Sequence, residues 1–183
     1  YAMTSDQNQI LFDQQTLRIL QEMGLIKNDL KPEDMTPEQV IQEIDKVKLN
    51  DQQKLDYAAR FVDANITNQE RFELVPPRIL ADAYTATKTS IQNAKSDHDF
   101  NAHMNRFRTV ASRIDFLIEN FDKQTDHWYT DPTNIMDVHD GYTHMFNVRQ
   151  PDLKVQEGQN KKTQDYNSRL SATIDRTRKK MAD

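Results

Sequence analysis

The stretch DHDFNAHMNRFRTVASRIDFLIENF, residues 97–121, decides the fold. Phe100, Met104, Phe107, Ala111, Ile114, Ile118 and Phe121 recur in it at alternating steps of four and three. An α-helix returns to the same face every ~3.6 residues, so the series forms one apolar stripe along a helix over 97–124. Such a stripe lets a helix lie along its neighbours at a shallow angle with side chains interleaved, in a coiled-coil-like way. Ser96 or Asp97 is placed to cap its start.

The same period extends on both sides. Leu80, Tyr84, Thr87, Ile91 and Ala94 mark a helix over 79–95. Pro76-Pro77 ahead of it stops any preceding helix and suggests a boundary. Upstream, a helix over 7–23 turns Ile10, Leu17 and Leu20 inward and ends at Gly24. A second, over 37–48, carries Val40, Ile41, Ile44 and Val47 on one face, with Pro37 at the first helical position, where its missing donor costs nothing. A third, over 51–64, buries Leu55, Ala58, Ala59 and Val62. Thr4 with Gln7, Thr36 with Gln39, and Thr67 with Glu70 each fit a capping box, a hydroxyl accepting from the backbone one turn on. Downstream, a helix over 159–181 offers only Tyr166, Leu170, Ile174 and Met181, a thin face that leaves room for a second copy to cover the phenylalanine stripe.

These readings give an all-α chain, an elongated helical bundle of about six helices. Residues 1–75 form an N-terminal helical region. Residues 76–183 form a three-helix bundle from 79–95, 97–124 and 159–181, either separate from the first region or continuous with it. No internal repeat or sustained strand alternation interrupts the pattern.

Composition removes many chemistries. The chain has 183 residues, no cysteine and three glycines, Gly24, Gly141 and Gly158. Thiol nucleophiles, thiolate zinc sites and disulfides are therefore absent. Phosphate-cradling loops need closely spaced glycines so that backbone N–H groups can approach the ligand, and no such spacing occurs. No apolar run approaches the ~20 residues that cross a bilayer, and no basic-then-apolar leader is present, so the expectation is a soluble chain off the membrane, leaning to the cytoplasm. The expectation for cofactors is none.

Charge is unevenly placed. Residues 1–75 carry 8 basic and 14 acidic side chains, residues 76–153 carry 8 and 11, and residues 154–183 carry 8 and 4. The basic end includes Arg169, Arg176, Arg178, Lys179 and Lys180, which could contact nucleic-acid phosphates but equally offset the partial negative charge of a helix end. An acidic chain with few aromatic residues on that helix favours the second role.

Two constellations remain. The segment 125–158 reads as a long aromatic and histidine-rich connection, with Trp128, Tyr129, Tyr142 and Phe146 as candidate anchors for a partner; ordered connections present side chains that helix faces cannot. All five histidines fall between 98 and 144. His127, His139, Asp140 and His144 are the candidate metal ligands, and His98-Asp99 and His139-Asp140 repeat the HD pair of helical metal phosphohydrolases, without the rest of that ligand order. The leading expectation is a non-enzymatic protein–protein interaction or self-association module, binding another protein or itself as a homodimer. A metal-dependent helical hydrolase is the alternative, and nucleic-acid binding by the basic end comes third.

Overall fold

Local rules place the helices. The computed structural model of the protein describes residues 5–120 and 135–157. Seven α-helices and one 3-10 turn, with no strand, make up its described residues: α1 (Ser5–Glu22), the turn Pro32–Asp34, α2 (Pro37–Asp45), α3 (Asp51–Asn65), α4 (Gln69–Phe72), α5 (Pro77–Gln92), α6 (Asp97–Glu119) and α7 (Ile135–Glu157). Reciprocal capping boxes start two of them, Thr36 with Gln39 at α2 and Asn50 with Gln53 at α3. Ser96 caps α6 by accepting from the Asp99 N–H at 3.1 Å. At α4 the cap is Asn68, which accepts from Arg71, one residue past the expected Thr67. Thr4 lies outside the described residues.

Gly24 ends α1 as expected, with φ +77°. Its N–H bonds the Gln21 carbonyl at 3.0 Å and the Leu25 N–H reaches the Leu20 carbonyl at 2.8 Å. This paired closure needs a left-handed residue, a conformation that costs other L-residues ~1–2 kcal/mol.

α5 is the central helix. It packs along α3, α6 and α7, while α1 lies against α2 and α3. One core runs from Ile19, Phe61 and Val62 through Leu80 and Tyr84 to Ile114, Ile118 and Met145. Pro76 and Pro77 therefore separate two helices but not two cores: Pro77 takes the first turn of α5, where no backbone donor is needed.

The main correction concerns the expected connection over 125–158. Residues 135–157 form α7, and it is this helix that joins α5 and α6; the expected third helix over 159–181 lies outside the described residues. Tyr142, Met145, Arg149 and Leu153 are buried on one face at steps of three, four and four. An arginine within that stripe, together with Gly141 and Pro151, hides the period from a reading of apolar spacing. The α6 stripe is buried at Ala111, Ile114 and Ile118 and widened by Val110 and Leu117. Its first member, Phe100, stays 44% exposed, and Ile10 and Ile41, also expected inside, are 39% and 42% exposed.

Gly141 sets the closeness of α7 to α5. A Cβ built there would meet the Pro77 Cβ at 2.9 Å and the Arg78 backbone nitrogen at 3.1 Å. Ordinarily a helical glycine gains up to ~1 kcal/mol on replacement by alanine, but backbone in the way removes that gain. Gly141→Val is expected to lower stability by about 1–3 kcal/mol through overpacking, read as a fall in thermal midpoint. An unchanged or higher midpoint would mean that α7 does not close on Pro77.

Candidate functional site

The functional candidates must be sought among polar side chains, because the interior of this bundle is unusually polar. Asn65, Asp82, Thr87, Arg106 and Arg149 are all buried. A buried polar group is costly unless it is hydrogen-bonded, and each of these has partners.

The densest cluster joins α5, α6 and α7. Arg149 forks onto Asp115, Nε to Oδ1 at 2.9 Å and Nη2 to Oδ2 at 3.0 Å. Its Nη1 donates to the Tyr84 hydroxyl at 3.1 Å. Tyr84 in turn donates to Asp152, whose other oxygen accepts from Lys88 at 2.8 Å. The Tyr84 ring stacks on Phe107 with centroids 4.8 Å apart. The Arg149 guanidinium lies 5.7 Å from the Tyr84 ring centroid and the Lys88 ammonium 5.8 Å from it. The two cations face two carboxylates, with a hydroxyl relaying between them.

Electrostatics fixes the protonation states. Burial, helped by the Asp152 hydrogen bond, pushes the Tyr84 phenol far up, against the pull of Arg149. Burial works against the Arg149 charge, but the hydrogen bond and charge of Asp115, then Tyr84, outweigh it and raise its pKa. Burial also opposes the Asp152 charge, yet hydrogen bonds from Lys88 and Tyr84, with the charges of Lys88 and Arg149, hold its pKa below the usual value. The pairing favours a neutral phenol and a charged arginine, and the cluster ties α5, α6 and α7 together.

Two smaller nodes repeat the device. Arg106 on α6 donates to Thr87 at 2.8 Å and to Asp63 of α3 at 2.6 Å. It also bonds His103 Nδ1 at 3.2 Å, which leaves that nitrogen the acceptor, since arginine only donates. On α5, Asp82 is met by Arg78 at 3.4 Å and by His144 Nε2 of α7 at 3.2 Å.

Only some of the expected site residues lie among the described ones. Tyr142 is 1% exposed and belongs to the core, so it is not a surface anchor; a ring on the inner face of α7 has no route to a partner. Phe146 is partly buried against the same core. Trp128 and Tyr129 lie outside the described residues. Of the metal candidates, His127 and the side chain of His139 lie outside them as well, Asp140 is exposed, and His144 is engaged by Asp82. Among the described residues no three histidine or carboxylate side chains gather as a metal would require. The basic cluster of Arg169, Arg176, Arg178, Lys179 and Lys180 is outside them too.

No family model, curated protein or solved structure matches the chain. Among the described residues no helix is long and apolar enough to cross a membrane. Function therefore rests on the residues themselves. What sequence reading missed is the set Tyr84, Asp115, Arg149 and Asp152; the only signal was a charged residue at a helical step from buried neighbours.

Two substitutions test these assignments. Arg149→Met leaves Asp115 unpaired and Tyr84 without its donor, and is expected to cost about 3 kcal/mol by denaturant unfolding. Arg149→Lys recovers little of this, because an ammonium cannot fork onto a carboxylate. Asp13 carries the opposite sign. Burial, then the neighbouring Asp45 charge, raise its pKa against a hydrogen bond from Gln9. A carboxyl raised in the fold stabilises least when ionised, so its burden is absent below the unfolded pKa and grows as pH rises through the folded one. Asp13→Asn should raise the melting temperature by a few degrees at neutral pH and leave it unchanged near about pH 3.

Proposed function

We propose that the chain is a non-enzymatic helical module that binds another protein or a second copy of itself, through the outer face of α6. The observation that carries this reading is Phe116. It is 48% exposed, on the side of the helix away from Ile114 and Ile118, and the Arg113 guanidinium lies 5.3 Å from its ring centroid. Arg113 is held there by donating to the Glu73 carbonyl at 2.9 Å. An aromatic ring beside a positioned arginine is the composition of interface hot spots, and both types are enriched where partners bury surface. Trp128 and Tyr129, which follow α6 in the chain, remain candidate anchors on sequence grounds.

Enzymatic readings gain no support from the described side chains. The titratable groups with the largest perturbations are locked in pairs that fix helices, and no nucleophile stands beside a base.

Photo-crosslinking tests the proposal. A benzoylphenylalanine at position 116 of the full chain, in cells, is expected to yield one discrete adduct, either of twice the chain mass or of the chain plus one partner. Phe116→Glu should abolish that association in a sedimentation experiment while leaving helicity unchanged. A monomer at every concentration with no discrete adduct would overturn the reading. Stoichiometric transition metal lost in His139→Ala would replace it with the hydrolase alternative.

A further inference from the structure

The outer face of α6 follows from its register. Val110, Ile114, Leu117 and Ile118 are buried, so the opposite side of the helix carries Asn101, Asn105, Arg108, Ser112, Phe116 and Glu119, all exposed. Ser112 lies midway between two of them: Arg108 precedes it by four residues and Phe116 follows it by four, each ~6 Å along the axis. The Arg113 guanidinium, anchored on the Glu73 carbonyl, lies 5.3 Å from the Phe116 ring centroid and still leaves the residue 48% exposed. Arg108 makes no hydrogen bond or ion pair among the described residues, whereas Arg60, Arg78, Arg106 and Arg149 each face a carboxylate. An open ring and an unanswered cation thus stand at equal distances on either side of a small residue.

We propose that two copies of this chain pack α6 against α6, antiparallel, about a two-fold axis passing at Ser112. The proposal rests on the reading of α6 as a partner surface and names the partner. In a two-fold contact residue i meets j and j meets i. Here the axis brings Phe116 level with the partner's Arg108 and Arg108 level with the partner's Phe116, so each unanswered cation gains an aromatic face. Ser112 meets its own copy, and with no bulky side chain at the crossing the two backbones can approach closely. Glu119, seven residues past Ser112, comes within about one turn of the partner's Arg108 and brings an opposite charge. Parallel packing would instead set Arg108 against Arg108, a costly like-charge contact. The face carries both halves of its own complement, which favours a second copy over an unrelated protein. One helix face is a small interface, so this dimer forms weakly and reversibly.

The chain has no cysteine, so a single engineered thiol tests the geometry. With helix axes ~10 Å apart and Cα atoms ~2.3 Å from each axis, the two Cα atoms at position 112 come within about 5 Å, which a disulfide spans. Ser112→Cys in the full chain, under mild oxidation at high protein concentration, is expected to form disulfide dimers about tenfold faster than Asn101→Cys. Asn101 shares the exposed face but lies eleven residues from the axis, so its two copies stand ~33 Å apart. Adding Arg108→Glu to Ser112→Cys should slow the coupling about tenfold and leave helicity unchanged. Sedimentation of the unsubstituted chain at rising concentration should show a dimer, a measurement that no variant's folding can disturb. Equal coupling at the two positions, or a monomer at every concentration, overturns the assignment. Where the probe at position 116 captures a different protein while Ser112→Cys stays monomeric, the second copy falls and the partner surface on α6 stands.

Discussion

α5 is enclosed by helices on several sides, and this enclosure is the constraint from which the rest of the structure follows. A helix in that position would ordinarily be apolar all round, yet α5 buries Asp82, Tyr84 and Thr87. Buried polar groups need hydrogen-bond partners, and each of these has one on a neighbouring helix. Asp82 finds His144, Tyr84 finds Arg149 and Asp152, and Thr87 finds Arg106. The polar side chains of one helix thus dictate which face of α6 and of α7 is turned toward it.

This directional demand explains why α7 has one register on α5 and α6. Apolar contacts alone tolerate sliding, since one methyl-bearing side chain substitutes well for another. A forked arginine does not, because both of its bonds to Asp115 fail when it moves by a fraction of a turn. Gly141 against Pro77 and Arg149 against Tyr84 lie more than two helical turns apart along α7 and fix it at two levels. Pro151 sits inside the same helix, where it removes a backbone bond and weakens the helix on its own account. A helix with weak intrinsic preference is then held by tertiary pairs, a division of labour in which a buried ion pair contributes uniqueness more than stability.

How legible this was in the sequence follows from the same physics. The all-α class, the α6 stripe, the Gly24 stop and the Thr36 box were readable, because each depends on neighbours within one turn. α7 was not. Its face is Tyr142, Met145, Arg149 and Leu153, and counting only apolar residues leaves gaps that resemble a loop. Phe100 and Ile41 failed in the other direction: their spacing matches a buried face, yet both stay exposed. Burial depends on what packs against a face, which no local pattern records. The densest polar cluster was out of reach for the related reason that its hydrogen-bonded partners are 34 to 68 positions apart along the chain.

The fold also bears on what kind of work the chain performs. Catalysis calls for a titratable group whose environment leaves it poised between two states. Here the strongest environments do the opposite, holding the Tyr84 phenol neutral, and the Arg149 and Asp152 charges fixed. Unusual pKa values in this bundle are therefore a by-product of fastening helices. The side chains left free of such duties are surface ones, among them Phe116 with its positioned arginine. On the reading proposed above, a stiff helix pre-organises the Phe116 ring, and little conformational freedom remains to be lost on contact.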